Sequence, residues 1–556
     1  MHPGWLVALL LVGSATACHD DMQGQRWTDD RETTRTLAKA VEELSDGVEG
    51  LEQVRQLLLW YVVIGEEPGQ LRALLPGITA RVTFSRLFDL RRLENSPRLS
   101  DARRRKVRYL RCHLTRLWMQ RGVARKLDRQ IDTLSQTVKL PATLSAERAA
   151  RFNDLQGLVA ATSDAPRRAA LEAQRVPVLQ RLDRLVRESE AWITRTARQL
   201  DVRRFDVMEQ CQERDTRTLL AGMCAAGAHN EPLLRQIWTS CGLGPPDATR
   251  LAQVQYLAQG GPHQSRMSEA GAMPALTLLL SGLGLELTSG EGDTIRTSER
   301  ALFTTMVPVN PPHDIRLAVR QASGLRAYGA LFEAAGDAIC RASTHQKDWE
   351  LRAMGPQVGA HTMGYLLGLV WLEREWWDRY QQATALPDGP VQDLFRTAVL
   401  GAAVRLRVEG VVMPMVRAAL QRAPARIYDG CVKESLDGLA PAKLYARLMQ
   451  QQLGLKLDPE QALTYVDEMV PHRGALDLDA YLLAHRLLEL LRRESDEKPW
   501  FLRPEVGQRL VSGLCHAGSA ATASQLARHF ELKAQPDMEA PWRNFRRSWD
   551  ALNRQP

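Results

Sequence analysis

Apolar residues recur at three- and four-residue intervals along most of this chain. From Thr33 to Tyr61 they fall at Leu37, Val41, Leu44, Val48, Leu51, Val54 and Leu58, which keeps one helix face apolar for many turns. The same periodicity predicts helices at about 71–93, 99–138, 146–161, 166–200, 214–226 and 247–259. It returns at 392–423, 441–453, 459–469, 477–494, 504–516 and 519–531. Gly242-Leu243-Gly244-Pro245-Pro246 and Val309-Asn310-Pro311-Pro312 interrupt the helices, but neither is long enough to separate domains. Asp314-Ile315-Arg316-Leu317-Ala318-Val319 alternates and is read as an edge strand. Ser289-Gly290-Glu291-Gly292-Asp293 reads as a turn between short strands. The pattern predicts an all-α fold with very small β content. One domain over 28–532 forms two helical lobes around a central cleft, and 533–556 is a loosely packed C-terminal tail.

Candidate chemistry concentrates between Met306 and Trp377. A turn over Arg320 to Gly324 leads into a helix from about Leu325, on which Glu333 and Asp337 stand four residues apart and share one face. One helix later, His361 sits among glycines and apolar residues. Two readings of this trio stay open. Solvated helix charges beside a core histidine is one. The other is a metal site, in which two carboxylates and one imidazole suit a harder ion better than zinc. Trp371, Trp376 and Trp377 are expected to anchor the core. The remaining histidines are scattered, and no G-x-S-x-G elbow is present.

The segment Leu331-Phe332-Glu333-Ala334-Ala335-Gly336-Asp337-Ala338 resembles the Leu-Phe-His-Glu-x-Gly-His-Ala helix of the all-helical gluzincin metallopeptidases, the branch of angiotensin-converting enzyme and the thimet-type oligopeptidases. There the two histidines bind zinc and the glutamate is the general base. The resemblance sets Glu333 and Asp337 at the histidine positions, Ala334 at the base and His361 at the third ligand, with Gly364 at the small residue after it. Weaker likenesses are Thr162-Ser163-Asp164-Ala165-Pro166 with the long helix after it, and Ala480-Tyr481-Leu482-Leu483-Ala484-His485, similar to a family helix that lines the cleft. They extend the resemblance over roughly residues 30–520 and mark Tyr481 and His485 as ligand-contacting positions. Alanine cannot accept a proton, and loss of a general base costs on the order of a hundred- to ten-thousand-fold in rate.

Composition adds limits. Hydrophobic content of 44% and charged content of 25% suit a globular chain with a sizeable core. The formal charge of +8 comes from 73 Lys and Arg interleaved with 65 Asp and Glu. The run Arg103-Arg104-Arg105-Lys106 continues with apolar residues at helical spacing and without an aromatic platform. It reads as a solvated helix face, so no nucleic-acid partner is expected, while weak attraction to an anionic membrane surface stays open.

Met1 to Ala17 has a short apolar core from Trp5 to Val12 and ends in small residues, as a secretory signal does. Cys18 at that junction resembles a bacterial lipobox cysteine, so secretion and lipidation at Cys18 stay open together. Either places the protein in the periplasm or on a membrane. The eight cysteines form no C-x-x-C pair. Cys211, Cys224 and Cys241 are close enough for one local disulfide, and the others are as readily buried thiols. Cys340 is not a ligand.

These readings point first to an exported, catalytically inactive metallopeptidase homologue that binds a peptide or protein in its cleft and needs no cofactor. The alternatives are a metal-dependent hydrolase with a remodelled Glu333/Asp337/His361 site, and a structural component of a cell-envelope complex.

Overall fold

The computed structural model describes residues 31–64, 84–119, 162–200, 202–287, 294–384, 389–423, 439–468, 476–495 and 498–553, with a few isolated positions between them. The leader, Cys18, the Ser289–Asp293 turn and the helix expected at 146–161 lie outside the described residues or nearly so.

Helices dominate, as the periodicity requires. Eight of them frame the site and the two cores: α1 (Arg31–Val63), α2 (Phe84–Glu94), α3 (Asp101–Met119), α4 (Leu325–Ala342), α5 (Val358–Gly368), α6 (Gly389–Arg407), α7 (Leu478–Arg493) and α8 (Ala540–Asn553). The long helix expected at 166–200 spans Ala165–Gln199, and that expected at 441–453 spans Pro441–Leu453. Among the described residues, no helix is long and apolar enough to cross a membrane.

A three-stranded sheet interrupts the helices: β1 (Ile295–Ser298), β2 (Arg300–Asn310) and β3 (Asp314–Arg320), in the order β1-β3-β2. The segment expected at an edge is the central strand. Ile315 pairs with Ile295 in parallel register on one side and with Pro308 in antiparallel register on the other. Its burial explains the position. Ile315, Leu317 and Val319 point into the main core, whereas Ala318 faces Trp60 and Val63 of α1 on the opposite surface. A strand covered on both faces gains more from two paired neighbours than from one open edge.

Two cores result. The larger one runs under the sheet, α4 to α8 and the helices between them, and includes Trp371, Trp376 and Trp377, buried as expected. A smaller one lies beneath α1, α2 and α3, where Val48, Leu90, Leu110 and Trp349 meet.

The C-terminal segment is not loose as far as Asn553. Pro541 opens α8 at a position where its missing N–H costs nothing, and Trp542, Phe545, Trp549 and Leu552 come after it at helical spacing. All four are buried, and the helix packs on α6 and α7.

Disulfides join distant elements: Cys112–Cys211, Cys224–Cys431 and Cys340–Cys515, with sequence separations of 99, 207 and 175. The expected local bridge among Cys211, Cys224 and Cys241 does not form. Cys211 and Cys224 take remote partners, and Cys241 is the free cysteine among the described residues. Helices that pack side by side bring together cysteines far apart in sequence, which spacing alone cannot show.

Candidate functional site

Gly324, with φ +98°, turns the chain out of β3, and its N–H donates to Met267 O at 2.9 Å. From there α4 buries Tyr328, Leu331, Phe332, Ala335, Ala338 and Ile339. Glu333, Ala334 and Asp337 are left on its half-exposed face. On α5 the half-exposed positions are His361, Tyr365 and Gly368, spaced four and three apart on one stripe.

The two helices cross at glycines. A Cβ on Gly336 would stand 2.7 Å from Gly364 Cα, and one on Gly364 would stand 2.5 Å from Glu333 O. Backbone meets backbone here, so Gly336 and Gly364 set the approach of the two stripes. Leu331, Phe332, Gly336 and Ala338 of the gluzincin-like segment are therefore accounted for by packing.

α6 closes the site from a third side. Arg405 presents two guanidinium nitrogens to Glu333: Nη1 donates to Oε1, and Nη2 donates to Oε2 at 3.0 Å. Its Nε donates to Glu409 Oε2 at 2.8 Å. The guanidinium carbon lies 5.6 Å from the centroid of the Tyr365 ring, within range of a cation–π contact. Burial alone would lower the Arg405 pKa, but the carboxylates of Glu333 and Glu409 outweigh it and hold it well above its usual value. Glu409 belongs to one π-helical turn, Val408–Val412, inserted where α6 would otherwise continue; such insertions are frequent at functional sites.

Asp337 accepts from Arg341 Nε at 3.0 Å, four residues along the same helix. His361 takes its partner from another element: its Nδ1 lies 3.1 Å from Asp477 Oδ2, at the start of α7. Burial would lower the His361 pKa, yet the hydrogen bond to Asp477 and the charge of Asp337 raise it above its ordinary value. Burial would likewise raise Asp477, but Arg214 and His361 hold it well below the carboxylate range. Arg214 pairs with both Asp477 and Asp479, the latter at 2.8 Å, and the Asp477 N–H donates to Tyr365 Oη at 3.0 Å.

The donors present do not fit a zinc ion. Among the described residues, no three His, Cys, Asp or Glu side chains gather closely enough to hold a metal. Both oxygens of Glu333 accept from Arg405, Asp337 accepts from Arg341, and the one imidazole is engaged by Asp477. The site is a mesh of ion pairs, and it stays partly open. Side-chain exposure is 36% for His361, 32% for Arg405 and 23% for Glu333.

Tyr481 and His485 are placed differently from the expectation of ligand contact. Both are buried. Tyr481 packs edge-on to Tyr365 at 5.4 Å, behind the site. His485 is fully enclosed, accepts at Nδ1 from the Asn544 side-chain amide of α8 at 3.1 Å, and rests against Phe545. Burial first, and the charge of Arg492 second, lower its pKa well below the usual value, so it is a neutral core residue. The helix α8 covers the face of α7 that carries His485.

Four contributors escaped the sequence: Arg405, Tyr365, Asp477 and Arg214. The pairs Asp337–Arg341 and Arg405–Glu409 have four-residue spacing and carried a readable signal. Nothing local joins Glu333 to Arg405 or His361 to Asp477.

No protein-family model matches this sequence, and no curated protein matches it significantly. Solved structures do match. An M32 carboxypeptidase from Deinococcus radiodurans R1 aligns with TM-score 0.52 and 15% identity, over 94% of this chain and 99% of that one. A carboxypeptidase from Pyrococcus furiosus gives TM-score 0.55 and 13% identity, over 94% and 99%. Metallocarboxypeptidase 1 from Trypanosoma cruzi gives TM-score 0.51 and 13% identity, over 93% and 100%. At such identities the likeness is one of architecture, and the chain has the helical fold of these metallocarboxypeptidases over nearly its whole length.

Proposed function

We propose that this protein is an exported, catalytically inactive member of the metallopeptidase fold that holds a peptide or protein segment at the α4–α5–α6 site. One observation carries the reading. At the position where the resemblance sets the first zinc histidine, Glu333 has both carboxylate oxygens engaged by Arg405. An internal cation takes up the charge that a metal would otherwise balance, and Ala334 offers no general base. A remodelled metal site would need Glu333, Asp337 and His361 to turn toward a common point, and each is held by its own partner. A purely structural role fits a closed site better than this half-exposed polar one.

Export rests on the leader-like N-terminus and is supported by the three disulfides, which persist in oxidising compartments. Secretion into the periplasm and attachment through a lipidated Cys18 are both compatible with it.

The test is retention without cleavage. A mixture of random peptides is incubated with the protein, and retained peptides are read by mass spectrometry against a Tyr365→Arg variant that fills the opening. Intact peptides enriched by the parent and lost in the variant are expected. Chelator-sensitive cleavage products, or no enrichment, would overturn the proposal.

A further inference from the structure

The chain's net charge is unevenly placed. Residues 84–111, in the α2–α3 hairpin, carry ten Lys and Arg against three Asp and Glu, a net +7 where the whole chain has +8. Most of the conspicuous run is not where the exposed charge lies. Arg105 pairs with Glu213 at 3.4 Å, Lys106 with Asp348 at 3.2 Å, Arg108 with Glu94 at 2.8 Å and Arg111 with Glu94 at 2.6 Å. Arg105 and Lys106 fix the hairpin to the rest of the molecule, and Arg108 and Arg111 tie its two helices together. Counting Glu213, Asp348 and Glu350 as well, cations still outnumber carboxylates by ten to six.

The excess points outward. Arg86, Arg91 and Arg92 on α2, Arg98 in the connection and Arg103 at the start of α3 are all exposed. Among them stands Phe88, 47% exposed and the exposed large hydrophobic residue among those described. Arg92 lies 4.8 Å from its ring centroid. Phe88, Arg91 and Arg92 fall on one stripe of α2, away from Leu87, Leu90 and Leu93, which are buried in the smaller core.

We infer that this hairpin face is a docking surface for an anionic phospholipid bilayer. Arginines attract the negative surface potential of such a bilayer, worth about 1 kcal/mol per basic residue close to the headgroups. An amphipathic stripe with one aromatic can seat that ring at the boundary of headgroups and acyl chains. Nucleic acid would need stacking platforms or a recognition element entering a groove, and the face offers a single ring. The surface works with or without a lipid on Cys18. It lies on the lobe that α1 enters, since Val48 of α1 packs against Leu87 and Leu90.

The experiment is co-sedimentation of the full chain with vesicles of phosphatidylcholine alone or mixed with phosphatidylglycerol, at low and high salt. The parent is compared with an Arg91→Ser/Arg92→Ser/Arg98→Ser variant and with Phe88→Ser. Any N-terminal anchor is common to all three, and binding to the neutral vesicles measures it. The parent is expected to bind the mixed vesicles more tightly, in a salt-sensitive manner. The triple variant should lose roughly a hundred-fold of that preference at unchanged thermal stability. Phe88→Ser should weaken the part of binding that survives high salt. Equal preference in parent and triple variant overturns the inference. So does equally tight, equally variant-sensitive binding of duplex DNA, which would mark a general polyanion patch.

Discussion

Replacing Arg405 with methionine tests the ion pair at the heart of the site. Two opposite charges about 4 Å apart near a protein surface attract by about 4 kcal/mol, before desolvation and side-chain ordering are charged against them. Fully exposed pairs retain about 0.2–1 kcal/mol, whereas breaking a buried pair costs about 3–5 kcal/mol. The side chains of Arg405 and Glu333 are 32% and 23% exposed, so the pair lies between those limits. The bidentate geometry and the contact with Tyr365 lift it clear of the exposed limit, and the remaining exposure keeps it short of the buried one. A double-mutant cycle of Glu333→Gln and Arg405→Met should therefore give a coupling energy of about 1–3 kcal/mol. Arg405→Met alone should cost about 2–4 kcal/mol, because it strands Glu409 as well as Glu333. Urea unfolding, followed by tryptophan fluorescence with the disulfides intact, supplies the four stabilities. A coupling below about 0.5 kcal/mol would refute the reasoning. Glu333 would then not be committed to Arg405, and the case against its serving as a metal ligand would fall.

Three further outcomes are expected. Gly336→Ala should destabilise by about 1–3 kcal/mol or more, since its Cβ would meet the backbone of α5. Gly329→Ala, on the same helix with nothing within 4 Å, should be neutral or stabilise by about 0.5–1 kcal/mol; equal effects at both sites would contradict the crossing. Because folding raises the His361 pKa, the stability that His361 adds should be complete below its ordinary value of 6.5. It should fade as pH rises through the folded value. The gap between parent and His361→Ala should narrow accordingly on passing from mildly acidic to alkaline buffer, and a widening gap would reverse the sign. Removing the Cys112–Cys211 bridge by Cys112→Ser/Cys211→Ser should cost about 2–5 kcal/mol, given the 99 residues it spans. An unchanged denaturation midpoint would argue that the two thiols are not joined in solution.

What the sequence disclosed was mostly local. The Ala165–Gln199 and Pro441–Leu453 helices, and the start of α4 at Leu325, are set by periodicity, turn residues and proline placement. Glu333 and Asp337 were legible as neighbours because four residues make one helical turn. Their commitments were less so: Arg341 is one turn from Asp337, but Arg405 is brought to Glu333 by packing of α6 on the site. The central place of β3 depended on strands on either side of it, whose pairing its own alternation does not encode. His485 illustrates the opposite failure. The resemblance set Tyr481 and His485 on a cleft-lining helix, and α8, whose Trp542, Phe545 and Trp549 spacing was itself readable, covers His485 instead. Cysteine pairing was illegible for the same reason as the ion pairs, being a consequence of which helices touch.

Elemental analysis of protein purified without chelators tests the central claim most directly, with the Glu333→Ala/Asp337→Ala variant alongside. An internal guanidinium in place of a metal requires that parent and variant both carry only trace, substoichiometric metal. About one bound metal per chain in the parent, absent from the variant, would contradict it and establish a rebuilt metal centre.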